Sequence, residues 1–79
     1  MQPDQIEQLI RQGIENASVT VTSDDNTHFE AIVISEEFEG MRPIARHQSV
    51  YKTLGELVGR EIHALSLKTL TPAEARGTS

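Results

Sequence analysis

The sequence predicts a small two-layer α+β domain with the element order α-β-β-α-β-α. Apolar residues recur at helical spacing in two segments, and β-branched or alternating residues form three short runs separated by turn-forming residues. The apolar stripes of two such helices need cover, which one face of a three-stranded mixed sheet supplies. With 79 residues, we expect one domain spanning residues 1–79, with the helices on one face of the sheet.

The first helix is predicted from about residue 4 to residue 15. Asp4 suits its N-cap, and Asn16 can end it in a left-handed conformation. Four apolar side chains share one stripe of this helix: Ile6, Leu9, Ile10 and Ile14.

Two strands follow, at residues 18–22 and 28–35. Residues 23–27 have the composition of a turn, so the strands should form an antiparallel hairpin. The second half of the second strand is apolar on both faces, which is typical of a central strand.

A second helix is predicted from Pro43 to about residue 58, ending at Gly59, and a third strand at residues 62–68. The strand–helix–strand unit predicts that the second and third strands run parallel, with a right-handed crossover. Thr71 and Glu74 flank Pro72 in the pattern of a capping box, which predicts a short last helix. We expect residues 76–79 to be a frayed tail.

Composition excludes several classes of protein. The chain has no cysteine, so it cannot be a disulfide-stabilised scaffold, a zinc finger or a self-sufficient iron–sulfur protein. No apolar run approaches the roughly 20 residues of a membrane span, and no signal-peptide pattern is present, so we expect a cytoplasmic protein. The net charge of −5 divides into −8 over residues 1–39 and +3 over residues 40–79. Such a division can mark a surface for a partner or for nucleic acid.

Four segments together resemble the BolA family across essentially the whole chain. They are Phe38-Glu39-Gly40-Met41, Arg46-His47-Gln48-Ser49-Val50-Tyr51, Ile62-His63-Ala64-Leu65-Ser66-Leu67 and Thr71-Pro72-Ala73-Glu74. The short hairpin loop and the Thr27-His28-Phe29 segment after it are most similar to the bacterial acid-stress-induced branch, of IbaG/YrbA type.

The resemblance implies a fold related to class II KH domains and a heterodimer with a monothiol glutaredoxin. In such pairs a [2Fe–2S] cluster is shared with the glutaredoxin and glutathione, or the proteins associate without one. The resemblance also implies roles in iron homeostasis, cluster trafficking, stress response and cell morphology. We expect the isolated chain to hold no cofactor and to be a monomer or a weak homodimer.

Two histidines are candidate iron ligands under this resemblance. His63 matches the signature histidine of the family, near the start of the third strand; its alternative is a half-buried, hydrogen-bonded strand histidine. His28 is the nearest imidazole to the hairpin loop, where many members carry a second ligand; its alternative is a surface histidine paired with Asp24 or Asp25. Ligation needs neutral imidazole and should weaken as imidazole protonates.

A basic group on or beside the second helix is the other candidate site. It comprises Arg42, Arg46, His47 and Lys52, and we predict that it contacts the partner or nucleic acid. A DNA-binding transcriptional regulator of stress and morphology genes is therefore the alternative function. The Gly-x-x-Gly loop of KH domains is absent, aromatic residues are few and the net charge is negative, which all weaken this alternative. A metal-free interaction domain is a third alternative.

We expect no enzymatic activity. The serines lie outside any elbow motif, no spacing suggests a nucleophile–base pair, and no glycine-rich loop could hold a phosphate.

Overall fold

The computed structural model describes residues 1–77. Its elements are helix α1 (Pro3–Gly13), strands β1 (Ser18–Thr22) and β2 (His28–Ile34), helix α2 (Pro43–Leu54), strand β3 (Ala64–Leu70) and helix α3 (Pro72–Gly77). Short 3-10 turns occupy Glu36–Phe38 and Gly55–Leu57. The predicted order α-β-β-α-β-α is confirmed.

The sheet has the order β1-β2-β3 and is mixed, as predicted. β1 pairs with β2 antiparallel, with Ser18 opposite Ile34, and β2 pairs with β3 parallel, with His28 opposite Ala64. The parallel register places the amino-terminal ends of β2 and β3 side by side.

One face of the sheet packs against α1 and α2 and forms the core. Its buried apolar residues are Ile6, Ile10, Ile14, Val19, Val21, Phe29, Ala31, Val33, Phe38, Val50, Leu54 and Ile62. β2 is the central strand, as predicted. Ile32 points to the other face and is 42% exposed, because no helix packs there among residues 1–77.

α1 is shifted towards the amino terminus relative to the prediction. It begins at Pro3, whose fixed φ suits the first helical position, and the backbone N–H of Gln2 donates to Gln5 Oε1 at 2.7 Å. Asp4 therefore lies in the first turn and is not the N-cap. The helix ends at Gly13, and Asn16 adopts the predicted left-handed conformation, with φ 55°.

α2 and β3 also differ from their predicted bounds. α2 ends at Leu54 because Gly55 has φ 58°, a conformation that favours glycine, and a 3-10 turn replaces the last helical turn. Ile62 is fully buried and forms an isolated bridge with Val58, so the chain joins the sheet only at Ala64. Continued pairing with β2 then extends β3 to Leu70.

The capping box of α3 is confirmed. The backbone N–H of Glu74 donates to Thr71 Oγ1 at 3.1 Å, and the backbone N–H of Thr71 donates to Glu74 Oε1 at 3.0 Å. Arg76 and Gly77, which the prediction placed in the tail, lie within α3. Residues 78–79 lie outside the described residues.

Candidate functional site

The parallel pairing of β2 and β3 brings two histidines to the same end of the sheet. His28 is the first residue of β2 and lies opposite Ala64, and His63 directly precedes Ala64. Paired strands are about 4.8 Å apart and consecutive Cα atoms 3.8 Å apart, so the Cα atoms of the two histidines lie within about 9 Å. Both residues are exposed.

His63 lies in the bend before β3 and not within the strand. The chain is anchored before it by Ile62, which is fully buried and whose backbone N–H donates to the carbonyl of Leu57 at 3.0 Å. After it, Ala64 is fixed by pairing with β2. The His63 imidazole makes no hydrogen bond or ion pair within residues 1–77, so it differs from the half-buried alternative and is open to an external ligand.

His28 is held by the hairpin loop that precedes it. Its Nδ1 lies 2.8 Å from Asp25 Oδ2, and its side chain is 68% exposed. Ser23 Oγ donates to the backbone carbonyl of His28 at 2.5 Å and accepts from the backbone N–H of Asn26 at 2.9 Å. The loop thus engages Nδ1 and leaves Nε2 without a hydrogen bond within residues 1–77.

Asp25 is the centre of that loop. Its Oδ1 accepts from the backbone N–H groups of Thr27 and His28, each at 2.9 Å. The hydrogen bond from the His28 backbone, followed by those from the His28 ring and the Thr27 backbone, lowers the pKa of Asp25 well below its usual range. Asp25 is therefore a carboxylate, which can only accept hydrogen bonds.

The imidazole nitrogens of the two histidines fit part of the ligand shell of a shared iron–sulfur cluster but are too few to complete that shell. The two histidines supply nitrogen ligands of the kind seen in Rieske-type clusters, where imidazole replaces thiolate on iron. No group of three His, Asp or Glu side chains in the described part of the chain is arranged to hold a metal ion. With no cysteine in the sequence, the remaining ligands of a cluster held here have to come from another molecule.

The side chain of Arg46 is largely buried and is held by hydrogen bonds within the fold. Its side chain is only 10% exposed, and Nη1 and Nη2 donate to the two carboxylate oxygens of Glu74 at 2.7 and 3.2 Å. Nε donates to the carbonyl of Met41 at 3.0 Å, and the guanidinium lies 5.9 Å from the ring centre of Phe38. The hydrogen bond with Glu74 raises the pKa of Arg46 and lowers that of Glu74. Arg46 therefore connects α2 to α3 and presents little of its side chain to a partner.

No hydrogen bond or ion pair within residues 1–77 joins the other three residues of the basic group to His28 or His63. Arg42 is exposed directly before α2, His47 is half-buried, and Lys52 is exposed beside a groove between α1 and α2. Arg46 also reaches the carbonyl of Thr69 at 3.5 Å, five residues along β3 from Ala64. At about 3.3 Å per residue, this places the Arg46 guanidinium roughly 16 Å along the strand from Ala64.

The sequence left Asp24 and Asp25 open as partners of His28 and did not reveal the bond between Glu74 and Arg46. Ser23 and Asp25 are two residues apart and are followed by Asn26 and Thr27, a pattern typical of a loop in which side chains cap backbone N–H groups; that signal could have selected Asp25 over Asp24. Glu74 has no such signal for its bond with Arg46, because the two residues are 28 positions apart.

None of the helices in residues 1–77 has the length and apolar character needed to cross a membrane.

Comparison with known proteins places the chain in a family. A family model described as BolA-like protein matches residues 8–74. The acid stress protein IbaG of Escherichia coli K12 is 36% identical over 75 residues, which cover 94% of this chain and 88% of IbaG. The DNA-binding transcriptional regulator BolA of Vibrio cholerae is 46% identical over 48 residues, 61% of this chain and 45% of that protein. These names describe a stress protein and a regulator and not enzymes.

The structural comparison agrees with the sequence comparison. A BolA homologue from Coxiella burnetii superposes with a TM-score of 0.85 at 40% identity, covering 96% of this chain and 97% of that one. The chain spans about half the length of several curated relatives, including 47% of the human BolA-like protein 1. The matched family model, the IbaG relative and the shared fold together show that the chain belongs to the BolA family.

Proposed function

We propose that the chain is a non-enzymatic partner of a monothiol glutaredoxin and shares or senses a [2Fe–2S] cluster in iron–sulfur trafficking, iron homeostasis and stress response. One observation carries this proposal: two exposed histidines lie at the same end of the sheet, with Cα atoms within about 9 Å, in a chain without cysteine. Membership of the BolA family supports it, because the family resemblance implies this partnership. The cluster is cargo, and the isolated chain holds none.

The roles within such a complex follow from the residues. His63 donates one ring nitrogen to iron, and His28 donates a second. The glutaredoxin and glutathione supply the thiolates, which this chain lacks. Imidazole is neutral where thiolate is charged, so a mixed shell has a higher reduction potential than an all-thiolate one. Arg42, His47 and Lys52 remain candidates for contacts with the partner, and Arg46 is occupied by Glu74.

Mixing the chain with a cluster-loaded monothiol glutaredoxin tests the proposal through visible absorption and circular dichroism. We expect a new spectrum, because replacing thiolate by imidazole on iron changes its charge-transfer bands. His63→Ala should abolish the change. His63→Cys should restore a spectrum of different shape, because thiolate is itself an iron ligand. An unchanged spectrum with the wild-type chain would contradict the cluster role, and calorimetry with cluster-free glutaredoxin would then show whether a metal-free interaction remains.

DNA binding is the second candidate function, favoured by the name of the Vibrio cholerae relative and by the exposure of Arg42 and Lys52. Each phosphate contact contributes about 0.9 to the negative slope of log affinity against log salt concentration. If α2 binds DNA, then Arg42→Gln and Lys52→Gln should each reduce that slope by about 1. Lys68→Gln, a matched change on the sheet face, should leave it unaltered. Affinity that vanishes at physiological salt would exclude this function.

A further inference from the structure

The carboxylate of Asp25 divides its two oxygens between the backbone and the His28 ring. Oδ1 accepts from the backbone N–H groups of Thr27 and His28 at 2.9 Å, whereas Oδ2 lies 2.8 Å from His28 Nδ1. The backbone contacts hold the carboxylate in place, so Oδ2 has a fixed position against the ring.

This arrangement selects one tautomer of the neutral imidazole. A carboxylate cannot donate, so the hydrogen of the Asp25–His28 bond is on Nδ1. Neutral imidazole carries one ring hydrogen, and Nε2 is then left with a free lone pair. Histidines that ligate metals characteristically donate their other ring N–H to a carboxylate or carbonyl, which fixes the ring and raises its basicity.

We propose that Asp25 is a positioning residue, which presents Nε2 of His28 to iron by holding the hydrogen on Nδ1. This inference rests on the proposed function, because it assigns His28 as a ligand of the shared cluster. Asp25 acts only through His28 and does not itself contact the iron.

Asp25→Asn separates this role from the structural role of the loop. Only the amide oxygen can accept from the two backbone N–H groups, so it takes the place of Oδ1 and leaves the amide nitrogen facing Nδ1. That nitrogen donates, so the ring hydrogen moves to Nε2, where it blocks ligation. The matched control is Asp24→Asn, which removes the same charge from a neighbour whose side chain makes no hydrogen bond or ion pair within the described residues.

The first readout is the ¹⁵N NMR spectrum of the histidine rings in the isolated chain, recorded in alkaline buffer so that the rings are neutral. We expect the His28 hydrogen on Nδ1 in the wild type and in Asp24→Asn, and on Nε2 in Asp25→Asn. Backbone amide spectra of β1 and β2 verify that each variant is folded. A wild-type ring with its hydrogen on Nε2 overturns the proposal without any variant, as does an unchanged tautomer in folded Asp25→Asn.

The second readout is the lifetime of the visible spectrum of the complex with cluster-loaded glutaredoxin. We expect Asp25→Asn to shorten it about tenfold or more and Asp24→Asn to leave it as in the wild type. In a His28→Ala background, Asp25→Asn should have no further effect. A wild-type chain that leaves the glutaredoxin spectrum unchanged overturns the proposed function and this role together. A normal wild-type complex with an equally long-lived Asp25→Asn complex overturns the role of Asp25 alone.

Discussion

The guanidinium of Arg46 in α2 and the carboxylate of Glu74 in α3 are joined by two hydrogen bonds of 2.7 and 3.2 Å. The same carboxylate accepts from the backbone N–H of Thr71, so one side chain caps α3 and connects it to α2. A residue that the sequence assigned to a binding surface therefore stabilises the carboxyl-terminal end of the fold.

Replacing Arg46 with methionine should lower the thermal unfolding midpoint, because the carbonyl of Met41 and the carboxylate of Glu74 lose their donors. Arg46→Lys should restore only part of the stability, since an ammonium group cannot form the bidentate pair. Far-ultraviolet circular dichroism measures the midpoint. Arg42→Met, at an exposed position, is the control and should change the midpoint little. Equal effects at the two positions would contradict a structural role for Arg46.

Acid should weaken the contribution of Glu74. Its pKa is lowered by hydrogen bonds from Arg46 and the Thr71 backbone, so the ionised form favours the folded state. That stabilisation is fully present above the ordinary pKa of a glutamate and is lost as the pH falls through the lowered folded-state value. We therefore expect the difference in urea midpoint between wild type and Glu74→Gln to be largest near neutral pH. It should shrink below about pH 4, and a pH-independent difference would contradict the ion pair.

Gly13 permits the close crossing of α1 and α2. A Cβ atom at this position would clash with Cγ2 of Thr53, whose hydroxyl donates to the carbonyl of Val50 at 2.6 Å. We expect Gly13→Ala to lower the free energy of unfolding by about 1–3 kcal/mol. Adding Thr53→Ser, which removes Cγ2 and keeps the hydroxyl, should recover most of the loss in denaturant titrations. Additive effects of the two changes would exclude this contact as the cause.

Phe38 should carry far more of the stability than the exposed Ile44, although both are large apolar residues near the start of α2. Phe38 is 1% exposed and Ile44 is 68% exposed. Phe38→Ala should cost about 3–5 kcal/mol, whereas Ile44→Ala should stay within about 0.5 kcal/mol. Guanidinium titrations measure both, and similar costs would place Phe38 outside the core.

Local patterns were sufficient to predict the elements whose signals are close in sequence. The alternation of residues 18–22 gave β1 with correct bounds, and the Thr71–Glu74 pattern gave the capping box of α3. The start of β3 depends on pairing with β2 and on the burial of Ile62, which are contacts distant in sequence. For the same reason the prediction placed β3 two residues too early.

The candidate site was predicted in part. The resemblance selected His63, and the loop sequence left Asp24 and Asp25 equally open as partners of His28. The partner in the folded loop is Asp25, whose Oδ1 also accepts hydrogen bonds from two backbone N–H groups. The separation of the start of α2 from the histidines follows from the predicted strand–helix–strand unit, because the crossover helix begins after the carboxyl end of β2 and the histidines lie at the amino-terminal ends of β2 and β3.

Pulsed electron paramagnetic resonance of the reduced complex tests the central claim most directly. The chain is labelled with ¹⁵N-histidine and mixed with an unlabelled, cluster-loaded monothiol glutaredoxin. We predict a ¹⁵N hyperfine coupling to the cluster spin that is strong in the wild type and is lost in His63→Ala. A reduced cluster complex without any coupling to ¹⁵N would contradict histidine ligation by this chain.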